Sequence, residues 1–322
     1  MKTALVSCMK NEGPFVLEWV AYHKVMGFDD IYVVTNDCTD GTDHILERLQ
    51  AMGVVHHHDQ TLAQGQSPQV SGLTHVLALP QMADTAWLLH IDADEFLRVS
   101  AGGGRVQDLL EVCGHADNIA LMWRPFGNSG QRFWRGGSVL RSFLRAQGRP
   151  RQANSGHKSM FRPGKFEYAT DHMPKMPSDP DVLCVNSAGE AIRNASVKHP
   201  SRARYRMAQD QLTWDVACIH HYAVRSLDVF LMKNDRGDGM GHEHQKYYLN
   251  SKFYRRHNGD DVVDAGILQH MDEVDALISD WLGDPALRQL EQYALRKFQD
   301  RRDQFLTPER IAALTMPADP AN

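Results

Sequence analysis

The chain has 322 residues, 42% apolar and 23% charged, a composition that buries a sizeable core without disulfide or metal staples. A formal net charge of −5 excludes the strongly basic footprint of a nucleic-acid binder, and Arg202-Ala203-Arg204-Tyr205-Arg206 is too short a basic stretch to reverse that. Five scattered cysteines (Cys8, Cys38, Cys113, Cys184, Cys218) contain no close pair and read as free thiols of a reducing compartment.

Ala4 to Met9 is an apolar run of strand type, closed by Lys10-Asn11-Glu12-Gly13-Pro14. That run is too short for a secretory leader, and no window approaches the ~18 apolar residues of a membrane span. A cytoplasmic protein is expected, with work near a membrane surface left open. Phe15, Leu17, Trp19, Val20, Tyr22 and His23 follow at helix-compatible spacing up to Gly27. Asp30 to Thr35 is a β-branched strand, and Asn36 to Thr42 a turn-rich loop. Ile45, Leu46, Leu49 and Met52 repeat as a helix, Val54 to His58 reads as a strand, and Val70 to Leu79 as another helix. Ala86 to Ile91 is a fourth strand, running into Asp92-Ala93-Asp94-Glu95-Phe96.

This alternation predicts a parallel sheet wrapped by helices, with the polar loops after strands one, two and four converging on one edge. Residues 102–185 are rich in Gly, Arg and aromatics and weakly periodic, so loops and short antiparallel strands are expected there. From Ser226 the pattern turns helical, notably over 267–281 and 287–305, and the tail after Thr315 reads as frayed. The expected division is a domain over 1–235 and a helical extension over 236–322.

Asp92-Ala93-Asp94 is the sharpest chemical signal. An apolar strand delivers two carboxylates to its terminus, and in an extended chain residues i and i+2 project to one side. Hard oxygen donors in that position suit Mg²⁺ or Mn²⁺ bridging to phosphate. A pair of turn-capping acids is the plainer alternative.

Lys10-Asn11-Glu12, Glu18-Trp19, Tyr22-His23, Asn36 to Thr42, His90 to Phe96 and Ile219 to Ser226, with Phe230, Lys233 and Arg236-Gly237 beyond, together resemble a glycosyltransferase family 2-like domain. The branch most similar is the one related to family 92. The resemblance spans roughly residues 1–240. It implies an α/β GT-A fold, a Rossmann-like mixed sheet with a C-terminal helical extension. It also implies a nucleoside-diphosphate sugar donor (UDP first), Mn²⁺ or Mg²⁺, an inverting transfer, and a glycan or lipid-linked acceptor.

By the same resemblance Asp94 is the principal metal ligand, Asp92 lies near the ribose or shares the metal, and His221 completes the site. His220 is its rival, because adjacent strand residues point oppositely. Asn36 stands where related enzymes often carry a uracil-reading aspartate; an asparagine both donates and accepts, which leaves uridine specificity open. Asn11 and Glu12 are placed to line the nucleotide pocket or to cap a helix, and Asp40-Gly41-Thr42 to shape a turn. Lys158 matches a basic position that would contact the diphosphate, with Arg225 and Lys233 as further candidates. Asp171-His172 is the candidate base region, with Glu95 and Glu190 as alternatives.

Three decoys are set aside. His56-His57-His58 cannot all face one ion from a strand, Gly102-Gly103-Gly104 lacks a phosphate-loop lysine, and His242-Glu243 lacks the second histidine, since Lys246 stands there. A nucleotidyltransferase and a non-catalytic carbohydrate- or nucleotide-binding module are the competing functions.

Overall fold

The computed structural model describes residues 1–193, 195–202, 205–236 and 247–315. Ala203 and Arg204 of the basic stretch, Gly237, His242, Glu243, Lys246 and the tail after Thr315 lie outside the described residues.

The chain opens β1 (Thr3–Met9), α1 (Gly13–Val25), β2 (Asp30–Thr35), α2 (Thr42–Ala51), β3 (His56–Asp59), α3 (Pro68–Leu77), β4 (Trp87–His90), in the alternation expected. β1 pairs in parallel with β2 and β4, and β2 with β3. The period of two decides which layer each side chain joins. Leu5, Val33 and Leu89 face the cluster with Trp19 of α1 and Ile45 of α2, while Ala4, Val6, Val34 and Leu88 face Leu73 and Val76 of α3. Both faces are covered, so β1 and β2 read as continuous apolar runs.

α1 starts at Gly13-Pro14, where proline's missing N–H is no loss, and ends before Gly27, whose φ of +92° suits only glycine well. Its polar side-chain atoms are satisfied by the distant strand Glu95–Val99: Trp19 Nε1 donates to the carbonyl of Glu95 and the Tyr22 hydroxyl to that of Leu97, at 3.0 and 2.8 Å.

The middle of the chain is more regular than its sequence suggests. It holds β5 (Glu95–Val99), α4 (Val106–Cys113), β6 (Asn118–Pro125), α5 (Val139–Ser142), β7 (Arg145–Ala146), β8 (His157–Phe161), β9 (Phe166–Ala169), β10 (Pro174–Pro177) and β11 (Cys184–Asn186). Ile119, Ala120, Leu121 and Met122 of β6 are all buried, so the strand shows no alternation to detect. β12 (Ala217–His221), α6 (Leu227–Arg236), α7 (Lys252–His257), β13 (Val262–Val263), α8 (Met271–Trp281), α9 (Pro285–Phe305) and α10 (Pro308–Thr315) follow.

The main sheet has nine strands in the order β3-β2-β1-β4-β8-β6-β12-β5, with β11 added to β6. β8 runs antiparallel to β4 and β6, β12 runs parallel to β6 and antiparallel to β5. The resemblance implies a mixed α/β sheet with helices at the C-terminus, and the observed sheet is mixed and is followed by helices. Those helices pack on the first half: Ile267, Met271, Val274, Trp281, Leu287 and Ala294 share the cluster of α1. Arg48 of α2 pairs with Asp284, which also caps α9 through Leu287 N.

Gly72 lets α3 lie close on the sheet: a Cβ there would meet Cys8 Sγ at 2.6 Å and Val34 Cγ1 at 3.0 Å. Gly72→Ala is expected to lower stability by about 1–3 kcal/mol, as overpacking does, in urea unfolding. An unchanged midpoint would show that α3 is free to shift.

Candidate active site

The loops after β1, β2 and β4 and the ends of β6 and β12 enclose a cleft of about 370 Å³. Its floor is the segment Asp92–Glu95. That segment is a turn rather than an extended strand end: Glu95 N donates to the Asp92 carbonyl, and the Glu95 carboxylate accepts from Asp92 N at 2.9 Å. Asp92 and Asp94 both line the cleft, held by cations from different elements.

Asp92 Oδ1 accepts from Lys158 Nζ at 3.0 Å and from Gln69 Nε2 at 2.8 Å. Asp94 Oδ2 accepts from Lys233 Nζ of α6 at 2.7 Å, and its Oδ1 lies 3.7 Å from His221 Nε2. Burial alone would raise the Asp94 carboxyl; Lys233, then His221 and Arg225, outweigh it and hold the group well below the usual carboxylate range.

The sheet settles the histidine rivalry. In β12, His220 turns to the core, its ring 4.3 Å from that of Phe126 and both nitrogens without hydrogen-bond partners. His221 faces the cleft, under the ring of Trp123 at 4.8 Å, with Nδ1 unpartnered; burial pushes its pKa down to about 4, leaving a neutral imidazole at pH 7. A neutral ring is the form that ligates metal.

Asp94 and His221 therefore form a two-donor set. Two ligands of one cation with bonds of about 2.1 Å sit no more than roughly 4.2 Å apart, and 3.7 Å meets that limit. Among the described residues no cluster of three or more His, Cys, Asp or Glu side chains is arranged to hold a metal. That donor set fits a Mg²⁺- or Mn²⁺-type ion whose other positions belong to phosphate oxygens and water, not a closed structural site.

Lys158 does not line the cleft. Its side chain is wholly buried, donating to Asp92 and to the Asp171 carbonyl at 3.1 Å, with Glu95 3.6 Å away. Burial would lower its pKa, but the Asp92 and Glu95 carboxylates outweigh that and raise it. Lys158 thus positions Asp92 rather than offering a free ammonium to a ligand. Glu95 is equally buried, its carboxyl raised by desolvation, and reaches no solvent. Glu190 is exposed and receives Asn186 Nδ2 within a local turn.

Glu12 and Asn36 are buried on the cleft wall. Glu12 caps nothing with its side chain; it pairs with Arg225, 3.2 Å away, whose Nη2 donates to the Ala93 carbonyl. Asp40 performs the capping, accepting from Gly13 N and from Thr42 N and Oγ1. Asn11 lines a second, adjoining cavity of about 640 Å³ instead, and accepts from Thr39 N. Asn11, Asp37 and Arg225 adopt φ of +54°, +47° and +50°, strain concentrated at the loops bordering these cavities.

His172 lines the cleft, and Asp171 lies behind it, not among the lining residues. His172 Nε2 lies 3.1 Å from Asp171 Oδ2, and Nδ1 lies 3.3 Å from the His157 carbonyl. With both ring nitrogens facing oxygen acceptors, His172 offers no lone pair to the cleft. The Asp171 carboxyl is held well below its ordinary range: burial opposes ionisation, but His172 and Lys158 outweigh it.

The outer wall was not legible in the sequence. Trp123 arrives there from β6, Tyr205 from a loop, and Phe253, Arg256 and His257 from α7. Gly156 admits the Trp123 ring, since a Cβ would come within 2.5 Å of it. Among the other motif residues, Glu18 accepts from Ser138 Oγ and Val139 N to cap α5, and His23 is buried against Trp19 and Phe96, so these serve the scaffold. All five cysteines are free.

The sequence model of glycosyltransferase family 92 matches residues 4–216. A glycosyltransferase family 92 protein of Ricinus communis is 26% identical over 130 residues, 39% of this chain and 23% of that protein. One of Oryza sativa subsp. japonica is 25% identical over 158 residues, 48% of this chain and 26% of that protein. The chain spans about a quarter of the length of these relatives. Among solved structures, S. aureus TarS 1-349 is similar with a TM-score of 0.36 and 13% identity, over 53% of this chain and 51% of that one. A mannosyltransferase, PcManGT from Pyrobaculum calidifontis, solved with GDP-Man and Mn²⁺, has a TM-score of 0.30 and 16% identity, over 38% and 36%.

The neutral buried histidines set a pH dependence. His90, His157 and His221 are pushed by burial to about 4, about 3 and about 4, below the ordinary 6.5. The unfolded chain therefore binds more protons between those values, so stability is full above pH 6.5 and falls as pH drops toward 4. Depressed Asp94 and Asp171 add stability above about 3.8 that is lost on further acidification. Urea midpoints should fall steadily from pH 7.5 to 4.5, less steeply in His221→Gln; a flat profile contradicts this account.

Proposed function

The chain belongs to glycosyltransferase family 92, and from that premise we propose that its cleft transfers a sugar from a nucleoside-diphosphate sugar to a glycan or lipid-linked acceptor. The observation that carries this reading is the meeting of Asp94 and His221, from the two halves of the sheet, beside a cleft that Glu12 and Asn36 also line. UDP is the proposed donor nucleotide, with Asn36 and Glu12 on its side of the cleft.

Asp94 and His221 would hold Mn²⁺ or Mg²⁺, with Asp92 alongside, and the ion would supply positive charge against the departing diphosphate. The remaining roles belong to the chain. Lys158 and Gln69 fix Asp92, Lys233 holds Asp94 ionised, and Arg225 locks Glu12 against the Ala93 carbonyl. The anomeric C–O bond to the diphosphate breaks, the acceptor oxygen forms the new bond with inversion, and the acceptor proton passes to Asp171. His172 positions Asp171 rather than acting as the base.

No helix among the described residues is long and apolar enough to cross a membrane, so a lipid-linked acceptor would be met from outside the bilayer core. A cytoplasmic site of action is proposed with this.

Asp94→Ala is expected to lower Mn²⁺-supported donor turnover by about 10²–10³-fold or more, measured as nucleoside diphosphate released. Retention of wild-type turnover refutes the role, and release of pyrophosphate would instead indicate a nucleotidyltransferase. Asp171→Asn should reduce transfer to an acceptor by about 10²–10⁴-fold while donor affinity holds; equal loss of donor affinity would place Asp171 in donor binding.

A further inference from the structure

The charges of the cleft divide into two zones. On the floor, the buried cations face carboxylates: Lys158 faces Asp92 and Glu95, Lys233 faces Asp94, and Arg225 faces Glu12. On the outer wall the balance is different. Arg206 and Arg256 are exposed and line the cleft, and neither has a carboxylate partner among the described residues. Arg206 makes one hydrogen bond, from Nη1 to the Ala153 carbonyl, which leaves most of its fork unused. Three arginines nearby are paired: Arg145 with Asp260, Arg151 with Asp261, Arg124 with Asp264.

The same cleft carries an aromatic wall. The rings of His172 and Tyr205 stack at 3.9 Å and 7°, and Trp123 meets them edge-on, 5.4 Å from His172 and 6.0 Å from Tyr205. Phe253 covers His257 at 4.3 Å. Half-buried rings of this kind present apolar faces to the C–H faces of a sugar. His257, buried and with Nδ1 unpartnered, adds a polar atom beside His221, 5.1 Å away ring to ring. Phe253, Arg256 and His257 come from α7, outside the residues 4–216 that the family model matches, whereas Trp123, His172, Tyr205 and Arg206 lie within them.

We propose that this outer zone is the acceptor subsite and that it takes an acidic sugar, one whose ring lies on the Trp123–Tyr205 wall and whose anionic group, carboxylate or phosphate, is held by Arg256 and Arg206. The proposal rests on the glycosyl-transfer reading and adds the acceptor's class to it. A neutral sugar would leave two guanidiniums with no counter-charge at the mouth, whereas a carboxylate or phosphate accepts their forked donors in pairs.

The test uses the full chain, titrated with a uronate oligosaccharide, with the same oligosaccharide carboxyl-reduced to its neutral form, and with a phosphorylated mannose oligosaccharide. The uronate or the phosphorylated sugar should bind at least about tenfold more tightly than the neutral one, and the better of the two identifies the anion. Arg256→Gln should abolish that preference while UDP affinity and Mn²⁺-dependent donor hydrolysis stay at the wild-type level. Arg256 is exposed, and an unchanged thermal midpoint confirms that the variant folds. Equal affinity for the acidic and neutral sugars overturns the proposal with the transferase reading intact. An equal loss of UDP affinity in Arg256→Gln assigns the guanidinium to the donor and also overturns it. Absence of any UDP binding or donor hydrolysis by the wild-type chain removes the transferase reading itself.

Discussion

Burial of charge beneath the Asp92–Glu95 turn is the constraint on which the site depends. Lys158 and Glu95 have no solvent exposure, so each must find its counter-charge within the protein. A lysine on β8 can reach Asp92 only if β8 lies between β4 and β6 in the observed register, where Lys158 pairs with Leu121. The Glu95 carboxylate folds back onto Asp92 N and converts the strand end into a tight turn. Lys233 from α6 and Arg225 just before it close the other side. Such pairs add little net stability compared with apolar packing, but losing one partner strands a buried charge at a cost of about 3–5 kcal/mol. The network therefore fixes geometry more than it stabilises the fold.

This division between positioning and reacting groups runs through the whole motif set. Lys158 and Glu95 build the floor from beneath, Arg225 clamps Glu12 to the Ala93 carbonyl, and Asp40 ties the loops after β1 and β2 together. Glu18, Trp19, Tyr22 and His23 lie farther back still, tying α1 to α5 and β5. Polar residues in a resemblance look alike on paper whether they face a ligand or satisfy a buried backbone. Only solvent access separates Asp92, Asp94 and His221 from Lys158, Glu95 and His220.

The cleft itself is asymmetric in a way that matches a two-substrate reaction. Its floor is rich in charge and internally neutralised, suited to phosphate once a cation is present. Its outer wall is aromatic and carries guanidiniums that have no carboxylate partner among the described residues. The floor joins carboxylates of the opening βαβ half to cations from β8, Arg225 and α6, while the wall comes largely from β6, the segment around Tyr205 and α7.

The sequence alone determined the first half of the fold, because periods of two and 3.6 alternate cleanly from Ala4 to Ile91 and parallel strands buried on both faces leave apolar runs that are hard to misread. It also singled out Asp92 and Asp94 as two carboxylates closing an apolar strand, and both line the cleft. β6 and α4 escaped notice because uniform burial erases alternation in the one, and α4 is only eight residues long. The choice between His220 and His221 needed the sheet, because alternation says that they differ but not which face is the core. Lys158 and the outer wall needed it too: whether a lysine meets solvent or a buried carboxylate, and whether Trp123, Tyr205 and His257 meet at all, depends on contacts between residues far apart in the chain, which no local pattern encodes.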